Sequence, residues 1–160
     1  MTSMFEVLSN DAECSTRSGW CCLRFRFDDD ELALLGAAER LRGAALASQS
    51  RPESLRDALA LAKAGRKLAR TSAGAMVSLD EAELRLVSAA VDYAAGEVRW
   101  VGDAGEATDR ASLERRALVG KAFPHLVQQG SWRGFGLRRA LEALGERLTT
   151  ALGSTTTPAS

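Results

Sequence analysis

The chain contains two similar stretches of 14 residues that lie 52 positions apart. Residues 25–38 align with residues 77–90, and in both an Asp is followed three positions later by a Glu and then by regularly spaced leucines. A weaker match continues at an offset of 58, between residues 54–64 and 112–122. The sequence therefore predicts a tandem duplication, which constrains the architecture of the protein more than any other feature.

Each copy has the pattern of a strand followed by two helices. Apolar and polar residues alternate from Trp20 to Phe27, as in a half-buried strand. Asp28 then has the position of a helix N-cap, with Glu31 three residues further on. One unit buries too little apolar surface to be stable alone. We predict a mainly α fold (α+β with two short strands), formed by a tandem-duplicated β-α-α unit plus a C-terminal helix, with pseudo-twofold packing.

The length of 160 residues is typical of a single domain. We expect a flexible N-terminal arm at 1–18, one helical domain at 19–152 and a disordered tail at 153–160. Within the domain, we place repeat one at about 20–74, repeat two at about 76–130 and the terminal helix at 136–152.

Apolar residues at helical spacing predict the buried faces of the helices. In the second helix we expect an apolar stripe of Leu55, Leu59, Ala62 and Leu68. The terminal helix has the most regular stripe, which packs either in its own domain or on a partner, and Gly153 follows it as a C-cap. Its residues are Leu137, Leu141, Leu144, Leu148 and Leu152.

Composition limits the possible functions. The net charge is zero, so the chain as a whole lacks the cationic excess of a dedicated nucleic-acid-binding protein. No apolar run approaches the roughly 20 residues that span a bilayer, and residues 1–11 do not resemble a signal peptide. Three cysteines do not form a disulfide framework. We therefore expect a cytoplasmic protein without membrane association.

The candidate catalytic and metal-binding residues have simpler structural interpretations. The acidic clusters at 28–31 and 80–83 could hold a cation or perform acid–base chemistry, but acids are also favoured at helix N-termini. Cys21 and Cys22 would point to opposite faces of a strand, which disfavours a shared metal ion with Cys14 or His125. No nucleotide-binding glycine motif is present. We predict no catalytic residue, no metal site and no cofactor.

Residues 110–139 form a locally basic stretch, in which seven Arg or Lys residues stand against one acid, for a local charge of +6. Two aromatic residues lie in its glycine-rich segment 130–136, which we predict to be a loop or hinge. Arg and Trp are enriched at binding hot spots. The candidate partner-binding residues are Arg115, Arg116, Trp132, Arg133, Phe135, Arg138 and Arg139.

Three interpretations of this basic stretch remain open: a solvated basic face with its aromatic residues in the core, a surface for an acidic protein partner, and a nucleic-acid-binding surface. From the lack of a catalytic constellation we expect a non-enzymatic protein-interaction or assembly module. It would bind a protein partner or self-associate through the basic, aromatic hinge and the C-terminal helix. The alternative is a nucleic-acid-binding accessory protein that uses the same arginines.

Overall fold

A computed structural model describes residues 22–103, 109–124 and 134–155. In these ranges the chain is mainly helical, with two short strands, as the sequence predicts. The elements are β1 (Cys22–Arg26), α1 (Asp29–Ser48), α2 (Pro52–Ala69), β2 (Met76–Asp80), α3 (Glu81–Asp103), α4 (Arg110–Ala122) and α5 (Gly134–Thr155).

The two strands form an antiparallel pair whose register joins Cys22 to Asp80 and Arg26 to Met76. The alternation of the sequence places one face of this sheet in the core, where Phe25 and Leu79 are fully buried. The opposite face is open to solvent at Cys22, Arg26, Met76 and Ser78. The two predicted strands are thus present, and they pair with each other.

Both acidic clusters cap helices. The Asp28 carboxylate accepts a hydrogen bond of 2.7 Å from the Glu31 amide, and the Glu31 carboxylate accepts one of 3.2 Å from the Asp28 amide. Asp80 and Glu83 repeat this arrangement at 2.7 and 3.1 Å. Reciprocal bonds of this kind satisfy backbone donors that the first turn leaves unpaired. The structural interpretation of both clusters is therefore confirmed.

The core is built on α1 and α3, which pack against each other, with α2 along α1 and α5 along α3. Leu141 and Leu148 of α5 are fully buried, and Leu144 and Ala151 are 2% exposed. The leucine stripe of the terminal helix therefore packs within its own domain. The helix also continues to Thr155, so Gly153 does not end it. One glycine costs a helix only about 1 kcal/mol, which neighbouring turns can tolerate.

Leu68 of the stripe predicted for α2 is buried as expected, but Leu55, Leu59 and Ala62 centre about 150° around the helix from the buried face. Leu59 is 72% exposed and Leu55 is 44% exposed, whereas Leu61, Ala64 and Leu68 form the buried face. Both sets have helical spacing, and contact with α1 and α3 selects the second set.

The two helices α2 and α5 make similar contacts with the capping glutamates. Lys67 of α2 pairs with Glu83 at 2.8 Å, and Arg147 of α5 pairs with Glu31 at 3.5 Å, so each cation reaches the capping glutamate of the opposite strand–helix unit. In both helices a glycine faces an acidic side chain of the neighbouring helix, Gly65 facing Glu39 and Gly145 facing Asp92. These parallels favour α5 over α4 as the counterpart of α2. The duplication itself remains a prediction.

Two glycines within helices allow a matched test of the packing of α1 on α2. A methyl group at Gly43 would meet nothing within 4 Å, whereas at Gly65 it would lie 2.6 Å from Cδ of Glu39. We expect Gly43→Ala to raise the free energy of unfolding by about 0.5–1 kcal/mol, because alanine loses less backbone entropy on folding. Gly65→Ala should gain nothing, since Glu39 must move. Equal stabilisation by the two substitutions in urea unfolding would contradict the close approach.

Several predicted features lie partly or wholly outside the described residues. They are the N-terminal arm at 1–18, Trp20 and Cys21, most of the glycine-rich segment and the last five residues of the tail. The predicted loop at 130–136 is wrong at its end, because α5 begins at Gly134 and includes Gly136.

Candidate protein-interaction surface

Those predicted partner-binding residues that the structure describes lie on two helices, both of which contact α3. Arg115 and Arg116 belong to α4, and Arg138 and Arg139 belong to the second turn of α5. Phe135 is in the first turn of α5 by its backbone, but its side chain is outside the described part of the structure. Trp132 and Arg133 also lie outside it. The structure thus describes four of the seven side chains.

Arg115 is held against α3 by contacts within the molecule. Its Nε and Nη2 donate hydrogen bonds of 2.8 and 2.5 Å to the two carboxylate oxygens of Glu97 on α3. The Glu97 residue is only 7% exposed. Its guanidinium carbon also lies 3.9 Å from the ring centroid of Trp100. The hydrogen bonds to Glu97 raise the pKa of Arg115 above its ordinary value. A planar guanidinium is suited to both contacts at once, so this residue attaches α4 to α3.

A second cation–aromatic contact lies nearby. The guanidinium carbon of Arg42 on α1 is 5.0 Å from the ring centroid of Tyr93 on α3. Burial raises the pKa of Tyr93, the charge of Glu97 raises it further, and the positive charges of Arg115 and Arg42 partly offset this. The ring therefore stays neutral and contributes to the packing of α1 on α3.

Other arginines of the basic stretch also have acidic neighbours. Arg110 pairs with Glu114 at 3.0 Å, and Arg138 pairs with Glu142 at 2.8 Å. The hydrogen bond to Glu142 raises the pKa of Arg138. Glu97 and Glu142 lie outside residues 110–139, so the local charge of +6 does not include them. The positive electrostatic field of this surface is therefore weaker than that charge suggests. Arg139 is exposed, and Arg116 is half-buried.

α4 exposes apolar residues together with cations. Only Val119 of its 13 residues is buried, while Leu113 and Leu118 are each 51% exposed. Arg110 and Lys121 are exposed on the same helix. Reasoning from the sequence missed the two leucines. The sequence offered one indication that these leucines are exposed, the weak apolar periodicity of α4. A helix without a strong apolar stripe has few apolar residues to bury in the core.

A concave region separates α4 from α1. It has a volume of about 260 Å³ and is lined by Arg40, Leu41, Ala44, Leu118, Lys121 and Ala122. We call it the α1–α4 groove. Its walls are apolar, its two charged residues are both basic, and Leu118 forms part of one wall.

The remaining polar groups form no recognisable reaction centre in the described ranges. Burial raises the pKa of Glu31, with a further increase from the charge of Asp28 and a partial offset from Arg147. Glu31 acts there as a cap. No group of three or more His, Cys, Asp or Glu residues could hold a metal ion among residues 22–103, 109–124 and 134–155. Cys22 is a free thiol on the exposed face of the sheet, whereas Cys14, Cys21 and His125 fall outside these ranges.

No protein-family model, curated protein or solved structure matches the chain. The functional interpretation therefore depends on the surfaces of this molecule. Across the described residues, no helix is both long enough and apolar enough to cross a membrane.

Proposed function

We propose that this protein is a non-enzymatic interaction module that binds an acidic protein partner. The docking surface consists of the exposed face of α4, the start of α5 and the segment that joins them, with Trp132, Arg133 and Phe135. The observation that carries this proposal is the half-exposed Leu113, which lies on the same helix as the exposed cations Arg110 and Lys121. Apolar anchors with a charged surround are typical of protein interfaces.

The described contacts assign different roles to the candidate residues. Arg115 holds α4 in place through Glu97 and Trp100, so it positions the surface. Arg139 is exposed at the start of α5 and is a candidate for direct contact with the partner. The apolar face of α5 is used in the core, so this helix contributes only its outer face.

A protein partner is favoured over a nucleic acid. Nucleic-acid affinity depends on many phosphate contacts by Lys and Arg. Glu97, Glu114 and Glu142 already accept from three of the arginines near this surface, so few cations remain for the many phosphate contacts that a nucleic acid requires. An interface with an exposed leucine and a few cations fits a protein surface better.

The test compares two variants with the same change of charge. Leu113→Asp with Arg139→Glu alters the proposed surface, whereas Leu55→Asp with Arg56→Glu alters an exposed face of α2. Proteins that co-purify with the wild-type chain from its native host are identified by mass spectrometry, purified and titrated by calorimetry. We expect the first variant to bind at least about tenfold more weakly, as for the loss of one hot-spot residue, and the second to bind like the wild type.

Equal binding by both variants would contradict the proposed surface. A single-stranded oligonucleotide is titrated in parallel at two salt concentrations. Binding of the oligonucleotide that weakens steeply with salt, and no binding of any purified protein, would favour a nucleic-acid-binding function instead.

A further inference from the structure

The α1–α4 groove combines an apolar interior with positive charge. Leu41, Ala44, Leu118 and Ala122 supply its apolar walls, and Arg40 and Lys121 supply two cations, with no acid among the lining residues that the structure describes. Leu118 remains 51% exposed within the described part of the chain. An occupant that matches this groove has a bulky apolar side chain with carboxylates close to it in sequence.

The first 13 residues of the chain have this chemistry. They contain the acids Glu6, Asp11 and Glu13 and no Lys or Arg. Phe5 and Leu8 lie on either side of Glu6-Val7. Bulky apolar residues and carboxylates are thus close together in one short segment, whose formal charge is opposite to that of the groove.

The segment can reach the groove of its own molecule. The geometry of β1, the short connection after it and the first half of α1 limits the distance between Cys22 and Arg40 to about 40 Å. A chain from residue 8 to residue 22 spans up to about 46–50 Å when extended. Phe5 and Leu8 can therefore reach the groove without a second molecule.

We propose that residues 5–13 dock in the α1–α4 groove of the same chain. Phe5 or Leu8 lies against Ala44 and Leu118, and the carboxylates of the segment lie near Arg40 and Lys121. The docked segment covers the apolar wall that α4 otherwise exposes to solvent. This inference does not depend on the partner proposed for the Leu113 face of α4, although Lys121 contributes to both surfaces.

Photo-crosslinking of the full chain tests this docking. Benzoylphenylalanine replaces Phe5, and in a control protein it replaces Thr157 in the C-terminal tail. After irradiation, the crosslinked peptides are mapped by mass spectrometry, and monomers are separated from dimers. We expect crosslinks from position 5 to residues 40–48 or 113–122 in the monomer fraction, at several times the yield from position 157. Crosslinks at other sites, or equal yields, would overturn the proposal.

Crosslinks found only in dimers would also overturn it, because they would show that a second copy supplies the segment.

A charge exchange gives an independent test. Arg40→Glu with Lys121→Glu should lower the yield in the groove by about fivefold, as for the loss of two exposed ion pairs. Glu6→Lys with Asp11→Lys should lower it similarly, and the four changes together should restore it. Since Glu6 and Asp11 precede β1, their replacement remains informative even if the groove variant folds poorly. An unchanged yield in the Glu6 and Asp11 variant would contradict the ionic part of the contact.

Discussion

Leu148→Ala is expected to lower the free energy of unfolding by about 3 kcal/mol or more, the cost typical of a large cavity in a well-packed core. Leu148 is fully buried on α5, in the same stripe as Leu141 and Leu144, where the helix packs along α3. The substitution removes buried apolar contacts, and the surrounding helices close the resulting space only in part. Urea unfolding followed by circular dichroism measures the change.

Leu59→Ala is the matched control, because it makes the same chemical change on α2 at a side chain that is 72% exposed. It should change the free energy of unfolding by less than about 0.5 kcal/mol, as is usual for surface substitutions. A loss at Leu59 as large as that at Leu148 would mean that Leu59 is buried in an assembly. A negligible loss at Leu148 would mean that α5 does not belong to the core.

Local patterns in the sequence were sufficient for much of this fold. The alternation around Leu23 and Phe25 predicted a strand with one buried face, and the spacing of Asp28 and Glu31 predicted a capped helix start. Both features depend on residues within a few positions of one another. The leucine stripe of α5 was equally reliable, because the helix has only one apolar face.

α2 shows where this reasoning reaches its limit. Leu55, Leu59 and Ala62 make one helical stripe, and Leu61, Ala64 and Leu68 make another about 150° away. Local spacing does not distinguish the two, and only the position of α1 and α3 decides which set is buried. The half-exposed Leu113 and Leu118 were missed for the same reason, since burial depends on which helices are neighbours.

The candidate site was harder to predict because charge was counted along the sequence. Residues 110–139 contain a single acid, yet Arg115 pairs with Glu97, 18 positions earlier. An ion pair between separate helices is invisible to a local count. The sequence therefore shows a basic stretch but not which of its arginines holds α4 in place.

Arg115→Ala is expected to destabilise the protein by about 2 kcal/mol. Removing one partner of a fully buried ion pair costs about 3–5 kcal/mol, and the cost here is smaller because the Arg115 side chain is 43% exposed. Two effects contribute: the carboxylate of Glu97, which is 7% exposed, loses two hydrogen bonds, and Trp100 loses its stacked guanidinium. Since only Val119 of α4 is buried, hydrogen exchange in peptides from residues 109–123 should accelerate more than exchange in α3.

A second substitution separates charge from packing. Glu97→Gln in the Arg115→Ala background should recover part of the lost stability, because a buried amide without a partner costs less than a buried carboxylate. Arg110→Ala is the control, since Arg110 pairs with Glu114 at 92% side-chain exposure and should cost only about 0.3 kcal/mol. If Arg115→Ala costs no more than Arg110→Ala, then Glu97 is not desolvated and α4 is held in place mainly by the burial of Val119 and Phe123. In that case the orientation of Leu113 and Lys121 would not depend on Arg115, and partner binding should survive its replacement.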